Sequence, residues 1–335
     1  MYTPKENFLR LMRSDNPKWL GDPWSCFNQN KPFRPVAFSA VDFMLGGPEP
    51  GQMHVKNAWG VEMDWPADSP GGMPHVTDEN KVIKDITHWR DYVQFPSLDN
   101  LRWDIVERSI KDFDRENYLV MAGTFTGMFE FSHYMMGFMD ALTNYVVEPE
   151  CMYDLLSAYT DWKIKAVGLI IDHIRPDIIH SHDDWGNKKA LFINPETWRE
   201  ILKPLYKRFY GYIKSRGVLV QHHNDSVSHE ICEDMVDVGI DMWQGVIPQN
   251  DIPGIIERTE GKLCVMGGID MAKIDLPDAK EEDVRAEVRR AIDTYMPLGH
   301  FIPCVANIIP IYPQVEKWIN DEMNVYGAKY AAEHF

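Results

Sequence analysis

The chain has 335 residues, of which 44% are hydrophobic and 25% charged, and a net charge of −17. That is the balance of a soluble globular protein long enough to bury a large core. The acidic surplus argues against a nucleic-acid partner, which needs a basic face, and against docking on anionic lipid; no run approaches the ~18 apolar residues of a membrane span.

The N-terminus, MYTPKENFLRLMRSDNP, lacks the apolar run of a secretory leader. The five cysteines (Cys26, Cys151, Cys232, Cys264, Cys304) are odd in number and form no C-x-x-C pair. A reduced, cytoplasmic location is expected. Thr3-Pro4-Lys5-Glu6 reads as a helix start, with Thr as cap and Pro at the first helical position. The clusters GGPEPG (46–51) and PADSPGGMP (66–74) read as turns, so the first hundred residues are expected to be loop-rich.

From about residue 118 a rhythm sets in. YLVMAGTF (118–125) reads as a buried strand, followed by a long helical stretch to about Ile174. DIIHSH (177–182) is the next strand, and a helix starts near Asn194-Pro195-Glu196. VLVQH (218–222) is followed by the acid-rich helix SHEICEDMVDVG, which Gly239 terminates. Residues 240–245, 263–267 (LCVMG) and 301–304 complete the series of strands, with helices between. Short apolar strands alternating with helices imply parallel βα units. About six such units, plus one or two strands earlier in the chain, suit a TIM (β/α)8 barrel. A single domain over 1–335 is expected, irregular to residue 115 and regular from 116. A doubly wound sheet is the alternative, but no GxGxxG follows a strand and no phosphate-binding glycine loop exists.

Barrel chemistry sits at strand C-termini. Here those ends carry His180, Ser181, His182, Asp183, Asp184 and Trp185; Gln221, His222, His223, Asn224 and Asp225; Trp243 and Gln244; and Cys304, close to Asn307. The first strand runs into Thr124, Thr126, Glu130 and His133. His, Cys and carboxylate together are able to hold zinc with an open position. A packing role stands beside each functional one. A lone His is commonly a hydrogen-bonded core residue, Cys304 a buried thiol, Glu130 a solvated helix residue, and Asp183 or Asp184 a cap for the following helix. Four His and three Asp at adjacent strand ends favour a site, because burying them unpaired is costly. The 11 Trp and 18 Met suit a core and also an apolar or aromatic ligand.

His182-Asp183-Asp184-Trp185-Gly186-Asn187, followed by Ile193-Asn194-Pro195-Glu196-Thr197-Trp198-Arg199-Glu200, resembles the central signature of uroporphyrinogen-decarboxylase-like proteins. Val220-Gln221-His222-His223-Asn224-Asp225 resembles their "His-x-Cys-Gly-Asn-Val" strand end, and Met266-Gly267-Gly268-Ile269-Asp270 their "Gly-Gly-Ile-Asp" element. Thr3–Phe8 resembles the methyltransferase-type N-terminus. The resemblance implies a TIM barrel open at the strand C-termini. The "Arg-Gln-Ala-Gly-Arg" motif of the tetrapyrrole decarboxylases is missing, residues 17–42 holding one Arg. The resemblance therefore implies the corrinoid-dependent methyltransferase branch, whose thiol-methylating members hold zinc through the His and Cys of "His-x-Cys" and a later Cys. His222 matches that His and Cys304 the later Cys, but Asn224 replaces the middle ligand and Asp225 the Gly. This departure shifts the expectation to O-demethylase methyltransferases with carboxylate-richer sites.

The resulting expectation assigns catalysis to Asp184, Glu130 and His182. It assigns substrate contacts to Trp185, His223, Asn224, Trp243, Gln244 and Asn307, and metal ligation to His222, Cys304 and Asp184. The implied cofactors are zinc and a cobalamin. The "Asp-x-His-x-x-Gly" run of a cobalamin module is absent, so the corrinoid is expected on a separate protein docking at the rim. The implied donor is a small methylated compound, a methyl ether above all, including aromatic ones. Decarboxylation of a carboxylic acid, methylcorrinoid:thiol methyl transfer and a regulatory barrel are the alternatives, and the sequence leaves a homodimer open.

Overall fold

The computed structural model describes residues 2–27, 38–69, 71–306 and 312–335. Helix Pro4–Arg13 forms as expected, its cap Thr3 accepting from the Glu6 N–H. The loop-rich region holds a small antiparallel sheet that the sequence reading did not foresee: β1 (Val55–Lys56), β2 (Glu62–Asp64) and β3 (Met73–Pro74), paired in that order. Strands of two or three residues carry too little alternation to read from a sequence. The turn between β1 and β2 projects Trp59 into an edge-to-face cluster with Phe95, Phe131, Tyr159 and Trp162, which docks this sheet on the helices.

The apolar runs become six parallel strands: β4 (Met121–Thr124), β5 (Ile178–His182), β6 (Leu219–His223), β7 (Met242–Val246), β8 (Cys264–Ile269) and β9 (Phe301–Val305). Their spatial order is β4-β5-β6-β7-β8-β9. Every strand lies beside its predecessor, with helices between, so the chain never reverses direction across the sheet. That is the order of a TIM-type barrel; a doubly wound sheet has a switch point. Among the described residues no strand before β4 joins this sheet. Instead the N-terminal segment links its two edges. Pro23–Phe27 packs on β9, the Cys26 carbonyl accepts from Leu119 N–H at 3.0 Å just before β4, and helix Ala40–Leu45 packs on β4.

The stretch after β4 is three helices, not one. Gly137, at φ +87°, separates Met128–Met136 from Phe138–Val147, and Pro149 opens Pro149–Ile174. Gly137 supplies a left-handed backbone at little cost, and Pro149 lacks the N–H a continuing helix would need. Asn194 caps the next helix start through Thr197 N–H, and Gly239 closes Cys232–Val238 at φ +101°. Among the described residues no helix is long and apolar enough to cross a membrane.

Candidate functional site

Strand pairing decides which polar residues meet. The register sets His180 beside Gln221, Ser181 beside His222, and His182 beside His223; one strand on, His222 pairs with Trp243 and His223 with Gln244. Side chains alternate faces along a strand, so two sets separate. Ser181 and His222 face the outer helix Lys203–Ser215, whose Tyr210 hydroxyl contacts Ser181 Oγ at 3.1 Å and His222 Nδ1 at 2.7 Å. His180, His182, His223 and Gln244 share the opposite, inner face.

On that face one donor atom each from His182, Asp184 and His223 lies within 4.8 Å of the other two. The imidazoles of His182 and His223 stack at 4.6 Å. His182 Nδ1 faces the Glu130 carboxylate at 3.1 Å. His223 Nδ1 donates to Gln244 Oε1. The Gln244 amide is oriented by its own NH2, which donates to the carbonyls of Val305 and Ala306 at 3.4 and 3.3 Å. Each ring therefore has its Nδ1 engaged, and Nε2 is the nitrogen left for a ligand. Asp184 Oδ1 accepts from Asp225 N–H at 3.1 Å. His182 retains 25% of its side-chain exposure whereas Glu130 retains 8%, so the imidazole borders a wet cleft and the acid behind it is enclosed.

The helix Met128–Met136 anchors this arrangement. Glu130 Oε2 accepts from Gly127 N–H at the helix start. Asp183, fully buried, accepts from the N–H groups of Phe129 and Glu130 at 2.9 and 2.8 Å, from Trp185 Nε1 at 3.0 Å and from the Tyr206 hydroxyl. Two carboxyl groups thus sit on the positive end of one helix. Gly127 allows the approach: a Cβ there would lie 2.1 Å from Asp183 Cβ. Asp183 is a cap, but of the helix that follows β4 and not of the one after its own strand.

The electrostatics follow from burial and these contacts. Burial disfavours the His182 imidazolium, but the charge of Glu130, the hydrogen bond to it and the charges of Asp184 and Asp183 outweigh that cost and raise its pKa to about 9. Glu130 is held below the usual carboxylate range, burial being overcome by the charge and hydrogen bond of His182 and by the charge of His133. Burial drives His223 and His222 well below the ordinary imidazole value, with the charge of His182 adding to it. Asp184 is pushed up to about 7, mainly by burial; His182 opposes the shift while Glu130 and Asp225 add to it.

The rise at Asp184 sets a pH dependence. A carboxyl whose folded pKa exceeds its ordinary 3.8 binds its proton more tightly when folded. Its stabilising contribution is full below about pH 4 and is lost as pH rises through the folded value near 7. In the metal-free protein Asp184→Asn, which cannot ionise, is expected to be more stable than the wild type above pH 7, with the advantage gone near pH 4. Denaturant unfolding at pH 4 and pH 8 measures this; the same difference at both pH values would contradict it.

The structure brings Glu130, His182, Asp184, His223 and Gln244 together. It does not bring His222 and Cys304 to Asp184. His222 lies on the outer face, stacked on Trp185 at 4.1 Å. Cys304 reaches Gln244 and Trp24, and burial first, then the charge of Asp22, holds its thiol protonated. Trp185 and Trp243 are fully buried away from the cleft, Trp243 donating to the Asn224 carbonyl. The Asn224 side chain closes its own turn through Ser226 and Ser228. Asn307 lies outside the described residues. His180, given no role from the sequence, shares the inner face; its Nδ1 contacts Gln221 and its buried Nε2 has no partner among the described residues. Phe38 and Phe125 lie against it.

Comparisons with known proteins agree with this architecture. The family model described as uroporphyrinogen decarboxylase (URO-D) matches residues 53–312. Among solved structures, a methyltransferase from Methanosarcina mazei is similar with a TM-score of 0.67 at 14% identity, over 97% of this chain and 99% of that one. No curated protein matches the sequence.

Proposed function

The chain belongs to the uroporphyrinogen decarboxylase family, and from that footing we propose that it moves a methyl group from a small methylated donor, a methyl ether, to cobalamin carried by a separate corrinoid protein. One observation carries the reading: two imidazoles and a carboxylate converge at the ends of β5 and β6, with Nδ1 of each ring already engaged by Glu130 or Gln244. Two nitrogens and one oxygen with a position left open is a donor set that fits zinc. His182, Asp184 and His223 would hold it. Bound there, zinc supplies Lewis acidity at the donor's oxygen as charge develops on breaking the bond to methyl.

The remaining work falls to this chain's own side chains. Glu130 and Gln244 fix the orientation and tautomer of the two rings. Phe38 and Phe125 give the inner face an apolar wall near His180 and His182, suited to the body of an ether. The buried Nε2 of His180, without a partner among the described residues, offers a polar contact to the bound donor. The methyltransferase name of the Methanosarcina structure, whose fold spans nearly the whole of this chain, supports the same class of reaction.

The Asp184 carboxyl, at about 7, favours a second reading in which it protonates the leaving oxygen directly. Activity that survives complete metal removal would select that reading. Decarboxylation suits the site less well. Glu130, Asp183, Asp184 and Asp225 would repel a carboxylate substrate, and the buried Lys163 spends its ammonium on the carbonyls of Phe125 and Thr126.

Incubating zinc-loaded protein with reduced cobalamin and a panel of methyl ethers, methylamines and methyl thioethers tests the proposal. The expected result is a methylcobalamin spectrum with an ether. Silence across the panel, with carbon dioxide released from an organic acid, would overturn it.

A further inference from the structure

The small sheet β1–β3 carries a second constellation that shares no residue with the barrel site. Alternation along β2 sets Glu62 and Asp64 on one face. The register Val55↔Met63 brings the preceding residue, His54, opposite Asp64, and Met63↔Pro74 brings the following one, His75, opposite Glu62. Two imidazoles and two carboxylates thus meet on a single face.

One donor atom each from His54, Asp64 and His75 lies within 4.8 Å of the other two, and Glu62 stands against His54. His54 Nδ1 is 2.6 Å from Glu62 Oε1 and 3.6 Å from Asp64 Oδ1, and His75 Nδ1 is 3.0 Å from Asp64 Oδ2. Bonds of ~2.0 Å from a tetrahedral ion set its ligand atoms roughly 3.3 Å apart, within the range of these separations. With neutral imidazoles the two carboxylates leave a charge that a divalent cation neutralises. The imidazoles are open to solvent, at 61% and 43% side-chain exposure, while the carboxylates are mostly covered, at 19% and 16%. An ion thus has a way in and a backing of fixed negative charge.

We propose that His54, Asp64 and His75, with Glu62 held against His54, form a second metal site, selective for a borderline divalent cation such as Zn2+ over Mg2+ or Ca2+. Imidazole donors set that preference, since the hard cations take oxygen ligands. The ion's role is a clip. Strands this short are marginal by themselves, and one ion bound to residues 54, 64 and 75 ties all three together above the Trp59 anchor.

Metal-free full-length protein is titrated with Zn2+ by calorimetry, and hydrogen exchange over residues 54–75 is followed with and without the ion. His54→Ala/His75→Ala is expected to bind one equivalent fewer than wild type and to lose the zinc-induced protection of residues 54–75. His182→Ala/His223→Ala is expected to keep that protection. Asp64→Asn, which retains an acceptor for the His54 N–H, is expected to fold normally and to bind at this site about tenfold more weakly or worse. Equal stoichiometry in wild type and His54→Ala/His75→Ala would overturn the proposal. So would zinc-independent exchange of residues 54–75 in the wild type. Failure of the barrel site instead leaves the wild type with one equivalent, abolished by His54→Ala/His75→Ala.

Discussion

His223→Ala is expected to lower the methyl-transfer rate by about 10^2–10^3-fold, the usual cost of losing a charge-stabilising element at the reacting centre. The same change should remove the barrel site's equivalent of bound zinc; the ring is buried, stacked on His182 and bonded to Gln244, so some stability is lost with it. His222→Ala, one residue earlier, should lose stability and keep the metal. His222 is fully buried, stacked on Trp185 and bonded to the Tyr210 hydroxyl. Its loss opens a cavity and takes from the buried Tyr210 hydroxyl one of its two partners, Ser181 remaining, at a cost of roughly 2–4 kcal/mol, with metal content unchanged. Metal content, turnover and thermal unfolding of the two variants, measured side by side, separate the neighbours. Loss of zinc from His222→Ala with zinc retained in His223→Ala would contradict the assignment.

Asp183→Ala is expected to be the most destabilising single change near the site. Four donors converge on this carboxyl: two N–H groups at the start of helix Met128–Met136, the Trp185 indole and the Tyr206 hydroxyl. Removing it leaves buried donors unsatisfied and uncaps the helix, costing about 3–5 kcal/mol. For a chain of this size that corresponds to a fall in Tm of roughly 4–7 °C. Activity should fall with it, because Glu130 sits on the same helix turn and holds His182. Tyr206→Phe, which removes one of the four donors, should cost only about 1 kcal/mol. Calorimetric unfolding of both variants checks the pair; a loss below that of Tyr206→Phe in Asp183→Ala would contradict the capping role.

The strand series from β4 to β9 was legible because buried parallel strands read as apolar runs and the helices between them carry caps and stops such as Asn194 and Gly239. The region of the site was legible for the same reason: barrel chemistry gathers where strands end, and Glu130, His182, Asp184, His223 and Gln244 were all named from the sequence. What the sequence did not separate was the inner face from the outer. His222 and His223 are adjacent, so a single step of the pleat decides which one meets Asp184. Only a weak signal was present in the parity of the polar residues: the inner face takes His180 and His182 on β5 and Gln221 and His223 on β6, the outer face one polar residue from each, Ser181 and His222. The role of Asp183 was invisible for a different reason. It caps a helix that starts 55 residues before it in the chain, at Met128, and only the folded barrel brings the two together. The β1–β3 sheet escaped because its strands are shorter than any usable period.

X-ray absorption of the zinc-loaded protein tests the central claim most directly. With His182, Asp184 and His223 as ligands, the zinc should show nitrogen and oxygen scatterers at about 2.0–2.2 Å and no sulfur, and His223→Ala should remove one equivalent of metal. A sulfur shell near 2.3 Å that disappears in Cys304→Ala would instead establish thiolate ligation and contradict the assignment.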